Sequence, residues 1–414
     1  MSRPIVLAAA LVAAGSASAQ PAQKVTGPVA TYWVSAHTQS GFGMPGAGGQ
    51  PDRGQMMRMM MGGGGGAQHL LTLQLGSSTK PSGPPQAEHL PPPGLRAGAS
   101  LPLVTPRAQP TQRDEPQELP RDFQKPRGKM LIFWGCGERA GPNQPVVIDF
   151  AKMAAGQMPP GYQALTRGLG AAPMQPPSPS RNATYGEWPN PQTRTTVPTN
   201  GSLVGDHAVR GGYTPDIRFA LSQNQDFLAP LSLSTNAKTP SGAVQLGWNM
   251  VPNATGYFAS VIGGGQDTVV LWTSAEVQAS AFAAPDYLSP SEAGRLVAAR
   301  ALLGPQTTRC IVPREVVEAA PQSMVQLAAF GQEANFVYPP RPSDPKIAWN
   351  KEWQVKVRYR SATGGMLGMA MPGVDAAYGE NEDEDAGDAR PKEKRKGSMM
   401  RGLGGALGVP IPGF

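Results

Sequence analysis

Residues 243–273 read AVQLGWNMVPNATGYFASVIGGGQDTVVLWT and contain the clearest strand pattern in the chain. Val244, Leu246 and Trp248 alternate with polar or small residues such as Gln245. Because successive side chains of a β-strand point to opposite faces, this alternation predicts a strand with one buried face. Two turns rich in Pro, Asn and Gly follow, and each leads into a further β-type run. The segment therefore predicts three consecutive antiparallel strands.

A spaced motif lies within this segment. Trp248 is followed by Val-Pro-Asn-Ala at 251–254 and by Gly-Tyr at 256–257. This pattern resembles a fibronectin type III module, in which a Trp closes the second strand, a Val-Pro-x-Ala turn follows and Gly-Tyr opens the third strand. The resemblance implies a seven-stranded sandwich over 228–360, with Trp248 and Tyr257 in or beside the core. The family mainly provides scaffolds for binding or spacing and has no fixed active site.

The sequence departs from that family by a helical insertion. Ser289 and Pro290 favour a helix start, since Ser caps helices and Pro suits the first helical position. Leu296 and its apolar neighbours supply one buried side, and Gly304 is expected to end the helix. These signals predict a helix over 290–303.

The last strand of the module is expected at 353–359. Its aromatic and branched residues alternate with polar ones, which predicts a buried face and a basic outer face containing Lys356 and Arg358. No packing pattern continues beyond this strand, and an acidic run followed by a basic run indicates a disordered charged tail over 361–414.

An irregular β-domain is predicted over 25–225. The runs at 30–42 and 69–75 are expected to form a hairpin, whose loop is the Gly/Met-rich segment 43–68. Two Pro-rich segments are expected to be extended linkers or irregular wraps along a domain: 77–128 and 156–200. The expected fold class is mainly β, with an irregular N-terminal β-domain, a fibronectin type III-like sandwich with a helical insertion, and disordered segments.

The N-terminus has the features of a cleavable bacterial signal peptide. Arg3 supplies the positive charge, 5–14 form a short apolar run, and Ala-Ser-Ala at 17–19 precedes Gln20. Residues 1–19 are therefore expected to be removed, although an uncleaved N-terminal anchor is the alternative. The apolar run is shorter than the roughly 20 residues that span a bilayer, and no later run is longer. The mature chain is expected in the periplasm or outside the cell, without a transmembrane segment.

Composition limits the packed core and the classes of partner. The 414 residues include 51 glycines and 45 prolines, a proportion at which low complexity is expected. The formal charge of +7 is compatible with anionic surfaces. In an exported chain with scattered basic residues it is not evidence for nucleic acid. An envelope protein or a polysaccharide is the expected partner class, and the sequence leaves the oligomeric state open.

Cys136 and Cys310 are the only cysteines of the chain. In an oxidising compartment they can form a disulfide, which would tie the middle of the chain to the C-terminal module. The alternative is two buried or unpaired thiols, since sequence alone does not supply the required geometry.

A group of methionines in the Gly-rich loop is a candidate copper site, because thioethers are soft ligands that suit Cu(I). His69 could assist, whereas Arg58 lies within the group and would repel a cation. The alternative is a low-complexity loop without a metal. The candidate ligands are Met56, Met57, Met59, Met60 and Met61.

Catalytic motifs are absent from the sequence. Ser202, Asp206 and His207 supply the groups of a hydrolase triad, but adjacent strand residues point apart and no Gly-x-Ser-x-Gly motif exists. A polar pair at a strand edge is expected instead. The predicted function is an exported structural or interaction protein of the bacterial cell envelope, a non-catalytic scaffold. The alternatives are a periplasmic copper-binding protein and a cell-surface polymer hydrolase without a recognisable motif.

Overall fold

The protein is mainly β, as the sequence predicts. The computed structural model describes residues 23–41, 66–106, 128–158, 174–265, 267–278 and 286–369. These ranges contain eighteen strands and three α-helices. Within them, no helix has the length and apolar character needed to cross a bilayer.

A nine-stranded sheet forms the larger layer of the molecule. In spatial order its strands are β7 (Val146–Asp149), β6 (Lys129–Trp134), β14 (Thr268–Thr273), β13 (Gly256–Gly265), β16 (Ser323–Tyr338), β18 (Trp353–Met366), β2 (Ala30–Gln39), β3 (Gln68–Ser77) and β8 (Thr184–Trp188). Neighbouring strands are antiparallel except for the parallel pairs β6–β14 and β2–β18.

Two smaller antiparallel sheets form the second layer. The four-stranded sheet has the order β10 (Ile217–Leu221), β9 (Gly205–Gly211), β4 (Ala87–Leu90) and β5 (Leu101–Leu103). The three-stranded sheet has the order β11 (Leu233–Lys238), β12 (Val244–Trp248) and β15 (Arg309–Val312). The remaining elements are the parallel pair β1 (Val25–Thr26) and β17 (Trp349–Asn350), a 3₁₀ turn (Pro93–Leu95), and the helices α1 (Phe150–Ala154), α2 (Pro290–Ala298) and α3 (Arg314–Ala319).

One hydrophobic core joins the inner faces of the three main sheets. Val34, Leu73 and Val357 of the large sheet pack in the same cluster as Val209 of the four-stranded sheet and Leu246 of the three-stranded sheet. All five are buried. Burial of apolar surface between two β layers is therefore the main stabilising contribution to this fold.

Seven of the eight strands over 233–366 divide into groups of three and four, and the eighth, β17, pairs with β1. β11, β12 and β15 lie in the small sheet, while β14, β13, β16 and β18 are consecutive in the large one. Val244 and Leu246 are buried and Gln245 between them is exposed, as the alternation predicts. The rings of Trp248 and Tyr257 are both buried, with centroids 5.8 Å apart.

The predicted domains over 25–225 and 228–360 do not correspond to separate sheets. β2, β3 and β8 continue the large sheet beyond β18, while β6 and β7 continue it beyond β14 at the other edge. Edge strands carry unpaired backbone N–H and C=O groups, and the N-terminal segment supplies strands that pair with them. The hairpin prediction is confirmed, because β2 and β3 pair from Ala30 opposite Ser77 to Gln39 opposite Gln68.

Both Pro-rich segments contain strands that the sequence did not reveal. β4 and β5 lie within 77–128, and β8 lies within 156–200. These three strands are short and have prolines nearby, which conceals the alternation of their side chains. They are held in place by pairing with neighbouring strands. The expected start of the tail at Ser361 also requires correction, because β18 continues to Met366. Small residues such as Thr363 hide the alternation there, while pairing with β16 maintains the strand. Residues 370–414 lie outside the described part of the chain.

The helical insertion begins as predicted. The Ser289 hydroxyl accepts a hydrogen bond from the Glu292 backbone N–H, and Pro290 occupies the first turn. The helix ends at Ala298, before the predicted end at Leu303, because Arg300 adopts a left-handed conformation with φ 56°.

Beyond the helix, the chain returns to β13 and approaches it closely at Gly256. Leu303 exchanges two backbone hydrogen bonds of 2.9 Å with Tyr257. A Cβ on Gly256 would lie 2.5 Å from Leu302 Cδ2 and 2.9 Å from the Leu303 carbonyl oxygen. A side chain at this position would therefore push the two backbones apart.

We expect Gly256→Ala to lower the free energy of unfolding by about 1–3 kcal/mol through overpacking. Urea denaturation monitored by tryptophan fluorescence measures this change. Gly294→Ala is the matched control, because a Cβ there meets no atom within 4 Å and alanine favours the helix. Equal unfolding midpoints for the two variants would contradict the close approach at Gly256.

Candidate functional site

Cys136 and Cys310 form a disulfide that links the two layers. Their sulfurs are bonded and their Cα atoms lie 5.3 Å apart. Cys136 follows β6 of the large sheet, whereas Cys310 lies in β15 of the three-stranded sheet. Two backbone hydrogen bonds, from Gly137 to Ile311 and from Arg314 to Glu138, hold the same segments together.

A hydrogen-bonded pair of histidines lies in the core between the large sheet and the four-stranded sheet. Tyr32 Oη lies 2.9 Å from His89 Nδ1, and His89 Nε2 lies 3.2 Å from His207 Nδ1. His207 Nε2 lies 2.7 Å from the Leu203 carbonyl oxygen, which can only accept. Both rings can therefore be neutral, with Tyr32 donating to His89, His89 to His207 and His207 to Leu203. Burial lowers the pKa of both histidines, which agrees with neutral rings.

Ser202, Asp206 and His207 do not converge on one point. His207 is buried and Asp206 is exposed on the other side of β9. The Ser202 hydroxyl donates to Asp226 Oδ2 at 2.6 Å. The prediction that the two residues point apart is confirmed, but His207 lies in the core rather than at a polar strand edge.

The methionines predicted to bind copper (Met56, Met57, Met59, Met60 and Met61) lie outside the described residues, so copper binding stays a prediction. His69, the histidine considered beside them, stacks on Phe227 with ring centroids 4.0 Å apart. In the described ranges, no group of three or more His, Cys, Asp or Glu side chains could hold a metal ion.

The outer face of the large sheet carries a cluster of cationic and aromatic side chains. Lys356, Arg358 and Arg360 follow one another on the outer face of β18, and all three are half-buried. In the parallel register, Trp33 of β2 lies opposite Lys356 and His37 lies opposite Arg360. With Tyr287, which precedes α2, these residues are called the β18 cation cluster.

The Arg358 guanidinium lies between two aromatic rings. Its central carbon is 4.8 Å from the centroid of Trp33 and 4.2 Å from that of Tyr287. Arg358 Nε donates to the Ser35 hydroxyl at 2.7 Å, and Nη1 lies 3.8 Å from the Met174 sulfur. Burial lowers the pKa of Arg358, but a guanidinium remains protonated at neutral pH. Among the described residues, neither of its hydrogen-bond acceptors carries a charge.

The other two cations of the cluster are paired with carboxylates. Lys356 Nζ lies 2.6 Å from Glu333 Oε2, and the Glu333 side chain is only 5% exposed. Arg360 Nη1 lies 3.3 Å from Asp286 Oδ1, and the Asp286 side chain is 70% exposed. In the described part of this face, three cations therefore meet two carboxylates. Glu333 also lies opposite Arg358 on β16, but its carboxylate is bonded to Lys356, and no described carboxylate forms a salt bridge with Arg358.

Within the described ranges, three buried polar atoms of this face have no hydrogen-bond partner: Arg360 Nε, His37 Nε2 and Glu333 Oε1. Leaving a buried polar group unsatisfied costs about 1–3 kcal/mol. Burial, with the positive charge of Arg360, lowers the pKa of His37 to about 3, so this imidazole is neutral at pH 7. The cluster therefore carries a net positive charge, and several of its polar atoms have no hydrogen-bond partner among the described residues.

No family model, curated protein or solved structure matches this chain. The β18 cation cluster is therefore interpreted from its geometry and chemistry.

The sequence reveals only part of this site. The basic face of β18 follows from the alternation at Lys356 and Arg358, but His37 and Tyr287 carry no local signal. Their positions depend on the parallel pairing of β2 with β18 and on the loop before α2. The other large aromatics serve mainly in core packing, since the following are buried: Tyr32, Trp188, Trp248, Trp272 and Trp353.

Proposed function

We propose that this chain is an exported structural or interaction protein of the bacterial cell envelope, a β scaffold that binds its partner through the outer face of the large sheet. The observation that carries the proposal is the Arg358 guanidinium, which lies between two aromatic rings without a carboxylate bonded to it among the described residues. Exposed surface arginines are usually solvated, whereas a half-buried and oriented guanidinium is suited to recognition.

A fibronectin type III-like module over 228–360 is part of this proposal. Its support is the division of seven of its eight strands into sheets of three and four, together with the buried Trp248 and Tyr257. Scaffolds of this architecture present binding groups on rigid strands, as β18 presents Arg358.

Export to an oxidising compartment is supported by two observations. Residues 1–19 have the composition of a signal peptide, and Cys136 is bonded to Cys310. Structural disulfides persist mainly in extracytoplasmic compartments.

The first test is capture from the cell envelope. The full chain is expressed with a C-terminal tag, and N-terminal sequencing of the periplasmic form is expected to begin at Gln20. Crosslinking in whole cells is then expected to enrich an envelope protein or polysaccharide on this bait. Retention of an unprocessed chain in the cytoplasm, or capture no greater than with a tag alone, would contradict the proposal.

Two baits test which face makes the contact. Arg358→Glu reverses the charge in the cluster, and we expect capture to fall at least tenfold. Arg341→Glu reverses an arginine that also stacks on a tryptophan, 5.6 Å from the ring of Trp349, but lies outside the cluster. Its capture is expected to equal that of the unmodified chain, and an equal loss in both variants would contradict the assignment of this face.

A further inference from the structure

We propose that the β18 cation cluster binds an oxyanion, a carboxylate or a phosphate group, between Arg358 and Arg360. This inference rests on the proposed function, because it names the chemistry of the ligand that the outer face receives.

Charge balance is the first support. Lys356 and Arg360 each form a salt bridge with a carboxylate, whereas no described carboxylate is hydrogen-bonded to Arg358. Glu333 and Asp286 act on the Arg358 charge only from a distance, so the three cations share two carboxylates. Burial of a charge is costly unless it is paired or ligated. An oxyanion at Arg358 would supply the missing negative charge in a half-buried position, where the attraction is stronger than in water.

Unused donors are the second support. A guanidinium has five N–H donors in a planar fork that fits two oxygens of a carboxylate or phosphate. In Arg358, Nε bonds a hydroxyl and Nη1 faces only the Met174 sulfur, which is a weak acceptor. Among the described residues, Arg360 Nε has no hydrogen-bond partner. These groups can bind the oxygens of one anion with little loss of existing bonds.

The spacing of the two arginines is the third support. They lie two residues apart on one face of β18, a separation of about 7 Å along a strand. His37 lies opposite Arg360 on the adjacent strand, with its Nε2 unpartnered. A single carboxylate or phosphate can therefore contact both guanidinium groups and come near the imidazole.

Preorganisation is the fourth support. The rings of Trp33 and Tyr287 flank the Arg358 guanidinium and restrict its orientation before any ligand arrives. A fixed guanidinium loses less side-chain entropy on binding than a free one.

Asp286 is the expected competitor for the anion. Its carboxylate lies 3.3 Å from Arg360 Nη1, but the side chain is 70% exposed, so the ion pair is weak. The incoming oxyanion would replace Asp286 as the partner of Arg360. Removing the Asp286 charge should therefore strengthen binding, an outcome that a purely structural role of the cluster would not produce.

The experiment measures binding of two probes to the mature full-length chain at pH 7.5 and low ionic strength. Sodium glucuronate presents a sugar carboxylate and inorganic phosphate presents a phosphate, while sodium chloride at equal ionic strength is the reference. Isothermal titration is expected to show saturable binding of at least one probe, and the tighter probe distinguishes a carboxylate from a phosphate source.

Three variants define the site. We expect Arg358→Gln to weaken binding at least tenfold and Asp286→Asn to strengthen it several-fold. Arg341→Gln removes a ring-stacked arginine elsewhere, so its affinity should equal that of the unmodified chain. The proposal is overturned if neither probe exceeds chloride, or if Arg358→Gln binds as well as the unmodified chain.

A measurement on the unmodified chain keeps the proposal testable if Arg358→Gln does not fold. An oxyanion beside His37 favours the imidazolium, so a saturating probe should raise the pKa of His37 in an NMR titration. An unchanged His37 pKa at saturation would place the anion elsewhere. If an envelope partner is captured but neither probe binds, the oxyanion site is wrong and the proposed function stands. If a probe binds but no partner is captured, the oxyanion site stands and the proposed function is wrong.

Discussion

Reduction of the Cys136–Cys310 disulfide is expected to lower the free energy of unfolding by about 3–5 kcal/mol. The bond joins residues separated by 174 positions, so it closes a long loop in the unfolded chain. In the chain-entropy description, a loop of this length contributes about 5 kcal/mol, and residual structure in the unfolded state reduces that figure. The bond also holds the three-stranded sheet to the edge of the large sheet, at β15 and β6.

Urea denaturation of the oxidised and reduced chain measures this contribution. Cys136→Ser with Cys310→Ser should unfold at the same urea concentration as the reduced chain, which controls for effects of the reductant. Each single variant should behave like the double variant, because either one removes the bond. A reduced chain with the midpoint of the oxidised one would show that the layers hold together without the disulfide.

Local patterns in the sequence predicted the faces of individual strands. In β18, Val355 and Val357 are buried while Lys356 and Arg358 lie on the outer face. This success follows from the two-residue period of a strand, which needs no information about neighbours. The start of α2 at Pro290 was predictable for a similar reason, since its capping group is adjacent in sequence.

Arrangements that depend on distant pairing were not predictable. β2 lies in the interior of the nine-stranded sheet, and Tyr32, Trp33 and Val34 are buried on both of its faces. Such an unbroken buried run is typical of a central strand, but its partner β18 begins more than 300 residues later. The count of two cysteines allowed a bond between Cys136 and Cys310 but left unpaired thiols open, because the distance between them depends on the fold.

The candidate site shows the same division. Arg358 could be assigned to an exposed basic face from its alternation, but not to a position between Trp33 and Tyr287. The parallel register of β2 with β18 brings Trp33 and His37 to that face. The aromatic and imidazole groups of the site therefore depend on pairing between distant strands. The positive charge of the site can be predicted from the sequence of β18 alone.

Acidification from pH 6 to pH 5 is expected to lower the free energy of unfolding through His37, His89 and His207, with about 1 kcal/mol of the loss coming from His37. Burial lowers the pKa of all three in the folded chain, that of His37 to about 3. In the unfolded chain each histidine titrates near pH 6.5. Between the two pKa values the unfolded state binds more protons than the folded state. The contribution of these histidines to stability is therefore fully present above pH 7 and is lost as the pH decreases. His37, whose folded pKa lies well below the range from pH 6 to pH 5, contributes about 1.4 kcal/mol per pH unit.

Urea denaturation at steps from pH 7.5 to pH 5 measures the slope, in a range where most unpaired carboxylates stay ionised. His37→Gln should reduce the slope by about 1.4 kcal/mol per pH unit, and His207→Gln should also reduce it, because each removes a histidine that the unfolded state protonates first. His37 lies on the outer face and His207 in the core, so the two reductions should add in the double variant. A slope that neither variant changes would assign the acid sensitivity to other groups.

The hydrogen-bonded chain explains why His89 and His207 resist protonation together. His207 can donate to the Leu203 carbonyl only through Nε2, which leaves Nδ1 to accept from His89 Nε2. His89 Nδ1 then accepts from Tyr32 Oη. A proton added to either ring would place two donors against each other or against the tyrosine hydroxyl, inside a buried and poorly solvated site. NMR of ¹⁵N-labelled imidazoles at pH 7 should therefore find both rings neutral and protonated at Nε2. A charged ring, or a Nδ1-protonated form of His207, would contradict this chain of donors and the acid sensitivity derived from it.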